Sequence, residues 1–162
     1  MELATLGTDE WQVLRELLLR ALKDSPAAYI SDYESEAART ETGWRERFVN
    51  VQWVVARLGD RTIGLAAARR VEDRAPDERH IESVWVDPRH RRTGVLRAML
   101  RHLMEMEPSV RTWLVWVLDD NLLGRRVYER LGFRSTLESQ PLEDGTGRRE
   151  LRLGFWIAPR SG

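Results

Sequence analysis

Four arginines gather around a glycine in one short segment of this chain, an arrangement that suits the binding of an anion. Arg89, Arg91, Arg92 and Arg97 all lie within five residues of Gly94. Backbone N–H groups that are free at the start of a helix attract phosphate, as does the helix dipole, and a glycine lets the backbone approach such a ligand closely. The pattern favours phosphate binding for Arg91 and Arg92. For Arg89 and Arg97 it favours an ordinary solvated basic surface.

The elements on either side would hold this segment in place. Val84, Trp85 and Val86 are typical of a β-strand, and Pro88 cannot donate a backbone hydrogen bond, so strand pairing should end close to it. From residue 96 onward, apolar side chains recur at helical spacing. The sequence therefore predicts a strand, a basic turn and then a helix.

A second segment, residues 121–133, has the features of a complete helix. Asn121 is a good helix N-cap, and Gly132 is a good helix stop. Leu123, Val127 and Leu131 form an apolar stripe at helical spacing, which predicts that this side faces the core. The apolar residues 110–118, just before the helix, predict a buried strand.

The two segments together resemble the motifs of the Gcn5-related N-acetyltransferase (GNAT) superfamily. Residues 91–96, Arg-Arg-Thr-Gly-Val-Leu, are similar to the family's pyrophosphate motif, Gln/Arg-x-x-Gly-x-Gly/Ala. Residues 121–133 are similar to its second motif, Asn-x-x-Ala-x-x-x-Tyr-Glu-x-x-Gly-Phe. The chain departs from the pattern at Leu96, where the family has Gly or Ala, and at Gly124, which replaces Ala. Leu96 would either crowd the pyrophosphate or turn toward the core.

The resemblance implies that acetyl-CoA is the cosubstrate. The backbone of the strand at residues 84–86 would pair with the pantetheine arm and polarise the thioester carbonyl, and amides of the first motif would hold the pyrophosphate. Asn121 is explained equally well as a helix cap or as a contact to the cosubstrate. The cofactor-binding residues implied in this way are Val84, Trp85, Val86, Arg91, Arg92, Thr93, Gly94, Val95, Leu96, Arg97, Asn121 and Arg125.

Three residues are candidates for proton transfer. Tyr128 falls at the position of the family's tyrosine, where the resemblance implies that the phenol protonates the departing thiolate; packing in the core is the alternative. Strand alternation places His80 and Glu82 on one face. Val84 and Val86 should follow on that face. We expect Glu82 to be the base, with His80 as partner or replacement or with a water-mediated route, whereas pairing of Glu82 with an arginine is the alternative.

The resemblance also indicates which segments form the acceptor site. Both contain acidic residues, which would suit a cationic amine such as a polyamine, an aminoglycoside-like compound or a peptide N-terminus. Ordinary solvated loop acids are the alternative. The residues concerned are Asp32, Glu34 and Glu36 in residues 27–41, and Glu143 and Asp144 in residues 139–147.

The composition excludes several other classes of protein. Basic and acidic residues balance at 26 each, so no global field recruits nucleic acid or an anionic membrane. Cysteine is absent, and the three histidines lack metal-ligand spacing. No apolar run approaches the ~20 residues of a membrane span, and the first residues do not follow the signal-peptide pattern. We therefore expect a cytoplasmic protein without a metal, and a homodimer is left open.

The mixed order of strands and helices predicts an α/β (α+β) layered domain, and the length suits a single domain, residues 1–162. The resemblance implies a GNAT-like acyl-CoA N-acyltransferase fold, with a mixed, twisted and splayed central sheet flanked by about four helices. It implies an acetyl-CoA-dependent N-acetyltransferase that moves an acetyl group to a primary amine of a small molecule, peptide or protein by direct attack. A catalytically weak acyl-CoA-binding or sensing module is the rival hypothesis.

Overall fold

A computed structural model describes residues 1–29 and 31–158 of the chain. Its strands are β1 (Glu2–Leu6), β2 (Val51–Leu58), β3 (Arg61–Arg69), β4 (Glu78–Val86), β5 (Thr112–Leu118), β6 (Arg134–Pro141) and β7 (Arg149–Trp156). The α-helices of the described residues are α1 (Trp11–Asp24), α2 (Tyr33–Ala37), α3 (Glu41–Glu46), α4 (Val95–Met106) and α5 (Leu122–Arg130). There are five rather than about four, because two short helices lie between α1 and β2. None of these helices is long and apolar enough to cross a membrane.

The seven strands form one mixed sheet in the order β1-β2-β3-β4-β5-β7-β6. Neighbouring strands are antiparallel except β4 and β5, which are parallel. These two strands pair only where residues 78–81 lie opposite residues 112–115. Beyond that point the sheet opens between residues 82–86 of β4 and residues 116–118 of β5. The predicted mixed and splayed sheet is confirmed.

α4 packs on one face of the sheet, and its first residue lies close to β3. Met99, Leu100 and Leu103 recur at helical spacing and are buried. Gly64 of β3 permits close contact, because a Cβ atom at this position would lie 2.9 Å from Val95 Cγ1. The first residue of α4 is therefore seated directly on the sheet.

α1 packs on the opposite face. Its buried leucines, with Trp44 of α3, contact Trp53 of β2 and Leu65 of β3 in a second core cluster. At the end of α1, the Asp24 carboxylate accepts a hydrogen bond of 3.0 Å from Trp85 Nε1. This contact brings the segment that follows α1 to β4, beside the opening in the sheet.

α5 is oriented differently from the prediction made from its apolar stripe. Leu123 is 76% exposed and Val127 is 41% exposed. Tyr128 packs in the core cluster under α4, and Leu131 packs against that cluster. The predicted stripe is thus wrong for Leu123 and Val127, because the helix is rotated so that the tyrosine side meets the sheet.

Candidate active site

The turn before α4 presents backbone N–H groups to solvent. Gly94 is the N-cap of α4 with a φ of 91°, and Arg92 has a φ of 65°. Left-handed residues in such turns make successive N–H groups converge on a common point. The Ala98 N–H donates the first helical hydrogen bond to the Gly94 carbonyl, so the N–H groups of residues 95–97 have no partner inside the helix. A Cβ atom on Gly94 would meet nothing within 4 Å, so no protein atom crowds Gly94 itself.

The arginines of this turn have different roles. Arg91 is engaged, because its Nη2 contacts the Asp24 carboxylate and its Nε donates to the Val86 carbonyl at 3.0 Å. Arg92 and Arg97 are exposed, and no carboxylate of residues 1–29 or 31–158 lies within 4.0 Å of either. Arg92 and Arg97 are therefore available for an anion. The sequence also favoured Arg91 for phosphate binding, but Arg91 instead pairs with Asp24 and holds the turn against α1.

Asp24 is held in its charged form by the same contacts. Burial alone would raise the pKa of Asp24, but hydrogen bonds from Ser25 and Trp85 and the charge of Arg91 hold it below its usual value. The Asp24–Arg91 pair is consequently intact at neutral pH, and it positions the turn.

Leu96 does not close the space before the amides. Its side chain is partly buried and packs against the core cluster under α4. Of the two alternatives for this departure from the motif, the structure supports the one in which Leu96 turns toward the core.

A β-bulge at Ser83 reverses the alternation of side chains along β4. Ser83 has a φ of 53°, and the pairing of β4 with β3 shifts at this point. Glu82 and Trp85 therefore lie on the face covered by α1, while Val84 and Val86 pack against the cluster under α4. The prediction that Val84 and Val86 share the face of Glu82 is wrong, because period-two alternation does not continue through a bulge.

The backbone groups of Val84 and Val86 face the opening between β4 and β5. The Val84 carbonyl accepts a hydrogen bond of 2.8 Å from the Tyr29 hydroxyl, and the Val86 carbonyl accepts the one from Arg91. Both carbonyls thus point away from β3. Because the N–H and C=O of one strand residue point the same way, the N–H groups of Val84 and Val86 also face the opening, where β5 does not pair with them.

Tyr128 of α5 is a buried phenol near this opening. It is 8% exposed, and its ring meets Phe133 edge-on with 5.4 Å between ring centroids. Burial raises the pKa of Tyr128, and the nearby Tyr29 raises it further. The phenol therefore keeps its proton at neutral pH, so that Tyr128 is both a core residue and a potential proton donor.

Asn121 and Arg125 make local contacts on α5. Asn121 Oδ1 accepts a hydrogen bond of 2.9 Å from the Gly124 N–H, so the cap prediction is confirmed. A Cβ atom on Gly124 would lie 2.6 Å from Asn121 Nδ2, which explains why glycine suits this position. Arg125 Nε pairs with Glu129 at 2.8 Å. These contacts engage both side chains within α5 and do not orient either one toward a ligand.

Glu82 of β4 forms an ion pair with an arginine, which was the alternative to its expected role as the base. Arg69 Nε donates to one of its carboxylate oxygens at 3.0 Å, and Arg69 Nη2 donates to the other at 2.8 Å. Both oxygens are occupied. This bidentate pair leaves Glu82 poorly placed to receive a proton from another group.

His80 has a different environment. Its Nε2 lies 3.0 Å from a Glu78 carboxylate oxygen and 3.3 Å from Arg152 Nη2. Burial lowers the pKa of His80. The hydrogen bond with Glu78 raises this pKa, whereas the charge of Arg152 lowers it. The ring is therefore neutral at neutral pH, the form that can accept a proton.

Three of the five acids expected at an acceptor site have local roles instead. Glu36 is buried and pairs with Arg39 and Arg47. Asp32 caps α2 through the Ser35 N–H, and Asp144 accepts hydrogen bonds from Thr146. The remaining two acids, Glu34 and Glu143, are exposed.

Tyr29, Glu78 and Arg152 also contribute to the site but are not predicted from the sequence. No motif marks them, because each is defined by contacts with residues on other strands or loops. The only available signal was the position of Tyr29 within a segment already expected at the acceptor site.

Comparison with known proteins identifies the family of the chain. A sequence profile described as the Acetyltransferase (GNAT) family matches residues 11–133. The chain is 25% identical over 136 residues to the uncharacterized N-acetyltransferase YafP of Escherichia coli (strain K12), covering 83% of this chain and 81% of that protein.

Solved structures share the fold at low sequence identity. A GNAT-family acetyltransferase from Streptococcus pneumoniae has a TM-score of 0.75 and 16% identity, with 96% of this chain and 100% of that one covered. An aminoglycoside 6'-N-acetyltransferase complexed with coenzyme A has a TM-score of 0.72 and 14% identity, with 100% of both chains covered. The ribosomal-protein-alanine N-acetyltransferase of Brucella melitensis has a TM-score of 0.70 and 15% identity, with 97% and 100% covered.

Proposed function

Since this chain belongs to the GNAT acetyltransferase family, we propose that it is an acetyl-CoA-dependent N-acetyltransferase acting on a primary amine by direct attack. One observation carries the proposal. The free amides at the start of α4, the open edge of β4 and a protonated phenol lie around one opening in the sheet. A cytoplasmic location and a homodimer remain predictions.

The residues at the start of α4 fit the diphosphate of coenzyme A. Residues 95–97 supply unpartnered N–H groups at the positive end of a helix dipole, which favours an anion there. Gly94 leaves room for it, and the exposed Arg92 and Arg97 add positive charge. The side chains of Leu96 and Arg91 are not needed to bind the diphosphate, because Leu96 packs against the core and Arg91 pairs with Asp24.

The edge of β4 would polarise the thioester carbonyl. When bound, acetyl-CoA supplies the acetyl group in activated form, as a thioester. The N–H groups of Val84 and Val86 face the opening and would donate to the oxygen as it gains negative charge. Donors fixed in this way contribute about 3–4 kcal/mol each to stabilisation of a transition state. Tyr29 would have to leave the Val84 carbonyl if the pantetheine arm pairs there.

Two side chains would move the protons. As the amine nitrogen bonds to the acetyl carbon and the carbon–sulfur bond breaks, Tyr128 would donate its proton to the sulfur. His80 would receive the proton lost by the amine. His80 precedes Val84 by four residues, about 13 Å along a strand, so water would relay this proton. We propose His80 rather than Glu82 as the base, since Arg69 occupies both oxygens of Glu82.

Thiol release from acetyl-CoA across a panel of primary amines tests the proposal. We expect release that depends on one class of amine, with the acetylated product detected by mass spectrometry. Release without amine measures hydrolysis and serves as the control. Calorimetric binding of coenzyme A with no turnover of any amine would contradict the enzyme proposal and support the acyl-CoA sensor. Absence of coenzyme A binding would contradict both.

A further inference from the structure

Glu150 of β7 is a buried carboxylate without a cationic partner. The residue is 8% exposed, and its side chain accepts a hydrogen bond of 2.5 Å from Gln140 Nε2. No Lys, Arg or His nitrogen in the described residues lies within 4.0 Å of it. The other buried carboxylates of these residues all have basic partners: Glu36 with Arg39 and Arg47, Glu78 with Arg74 and His80, and Asp87 with Arg61.

Glu150 is therefore a largely buried carboxylate that has little contact with solvent and no counter-charge. A charge removed from water is stable only when a counter-charge or several hydrogen bonds replace the lost solvation. Gln140 contributes a neutral donor to Glu150 and no counter-charge. A cation from a ligand would supply the counter-charge that basic side chains provide for the other buried carboxylates.

Glu150 lies on the face of the sheet that carries the candidate base. Leu153 packs in the cluster under α4, and side chains alternate along β7, so Glu150 and Arg152 lie on the opposite face. Arg152 contacts His80, which confirms that both strands present these residues on the same side. The charge of Arg152 is itself paired with Glu138 at 2.5 Å, so Arg152 does not cancel the charge of Glu150.

The position of Glu150 along β7 is level with the opening. It pairs with Leu118 of β5, three residues beyond Val115, where pairing with β4 ends. Val84 lies three residues beyond Ile81, the last paired residue of β4. Two strand spacings of about 4.8 Å separate β4 from β7, so the backbones at Val84 and Glu150 are about 10 Å or more apart.

That separation determines which group of an acceptor Glu150 can bind. A nitrogen attacking a thioester held at Val84 is too far from β7 to be held by Glu150. A second nitrogen several bonds further along the acceptor would reach it. The segment after α1 also contacts the loop before β7, since Arg148 Nη2 donates to the Ala27 carbonyl at 3.5 Å.

We propose that Glu150, supported by Gln140, binds a second ammonium group of the acceptor, which makes the acceptor a diamine or polyamine. This inference rests on the proposed acetyltransferase function and names its substrate class. A charge-assisted hydrogen bond shielded from water is worth about 10- to 100-fold in affinity.

The test compares 1,5-diaminopentane with pentylamine, which has the same chain length and one amine fewer. Calorimetry measures the binding of each to the full chain, with and without saturating coenzyme A. The variants are Glu150→Gln, which keeps the shape and the Gln140 contact, and Glu105→Gln on the exposed side of α4, which removes the same charge elsewhere. We expect the wild type and Glu105→Gln to bind the diamine about 10- to 100-fold more tightly than the monoamine. Glu150→Gln should bind both equally.

Other outcomes overturn the inference. Equal binding of the two amines by the wild type, or an unchanged diamine preference in Glu150→Gln, would show that Glu150 does not bind an acceptor cation. Failure of coenzyme A to bind would contradict the proposed function separately, because diamine binding is also measured without it. In a turnover assay, a fall in kcat for pentylamine in Glu150→Gln would make Glu150 part of the proton transfer rather than a binding residue.

Discussion

Replacing Tyr128 by Phe is expected to lower kcat by about 10²- to 10⁴-fold, the usual contribution of a general acid. The departing sulfur would have to leave as a thiolate without a proton donor. KM for acetyl-CoA should change little, because the amides that hold the diphosphate are unaffected. The measurement is steady-state thiol release with whichever amine the wild type acetylates.

The fold should tolerate this change, which separates catalysis from packing. Phenylalanine keeps the edge-on contact with Phe133, so the thermal unfolding midpoint should stay close to that of the wild type. Tyr29→Phe is the matched control, since it removes one phenol hydroxyl from the same opening and should alter kcat only a few-fold. Full activity of Tyr128→Phe would show that Tyr128 acts only as a core residue.

His80→Gln is expected to have a comparable effect on the removal of the proton from the amine, a loss of about 10²- to 10⁴-fold in kcat/KM at neutral pH. Glutamine preserves polarity and size but has no basic nitrogen. The pKa of His80 is lowered by burial and by Arg152, so the neutral form is already present at neutral pH. Wild-type kcat/KM should therefore be maintained down to pH values below 6.5, the ordinary value, and fall as the pH decreases through the lowered pKa.

The pH profile identifies which residue is the base. In His80→Gln the acidic limb should disappear along with most of the activity. Glu82→Gln, two residues further along β4, is the matched control. It should still lose activity at acidic pH as the wild type does, because the Glu82 carboxylate pairs with Arg69 and does not receive the amine proton. Loss of the limb in Glu82→Gln with its retention in His80→Gln would reverse the assignment.

Local chemistry was sufficient to predict much of the fold. Residues 84–86 lie in β4 and residues 112–118 form β5, as their apolar patterns predict, and Asn121 caps α5. Gly132 ends that helix region with a φ of 98°, a conformation that favours glycine. Each of these features depends on residues within a few positions of one another, so the sequence pattern contains the necessary information.

The candidate site depended more on contacts between distant segments. Arg91 pairs with Asp24, 67 residues away, and Tyr29 contacts Val84, 55 residues away. The bulge at Ser83 carries no local signal, since serine is not a residue that favours a positive φ, yet it changes which side chains share a face. Apolar spacing in α5 predicted a helix correctly but could not determine which side meets the sheet.

In the proposed complex, the free amides at the start of α4 hold a diphosphate while Tyr128 lies at the thioester. A crystal structure of the protein with coenzyme A bound would show whether both contacts form. We predict diphosphate oxygens within about 3 Å of the N–H groups of residues 95–97 and the sulfur within hydrogen-bond reach of the Tyr128 hydroxyl. A diphosphate bound elsewhere, or a sulfur remote from that hydroxyl, would rule out this arrangement.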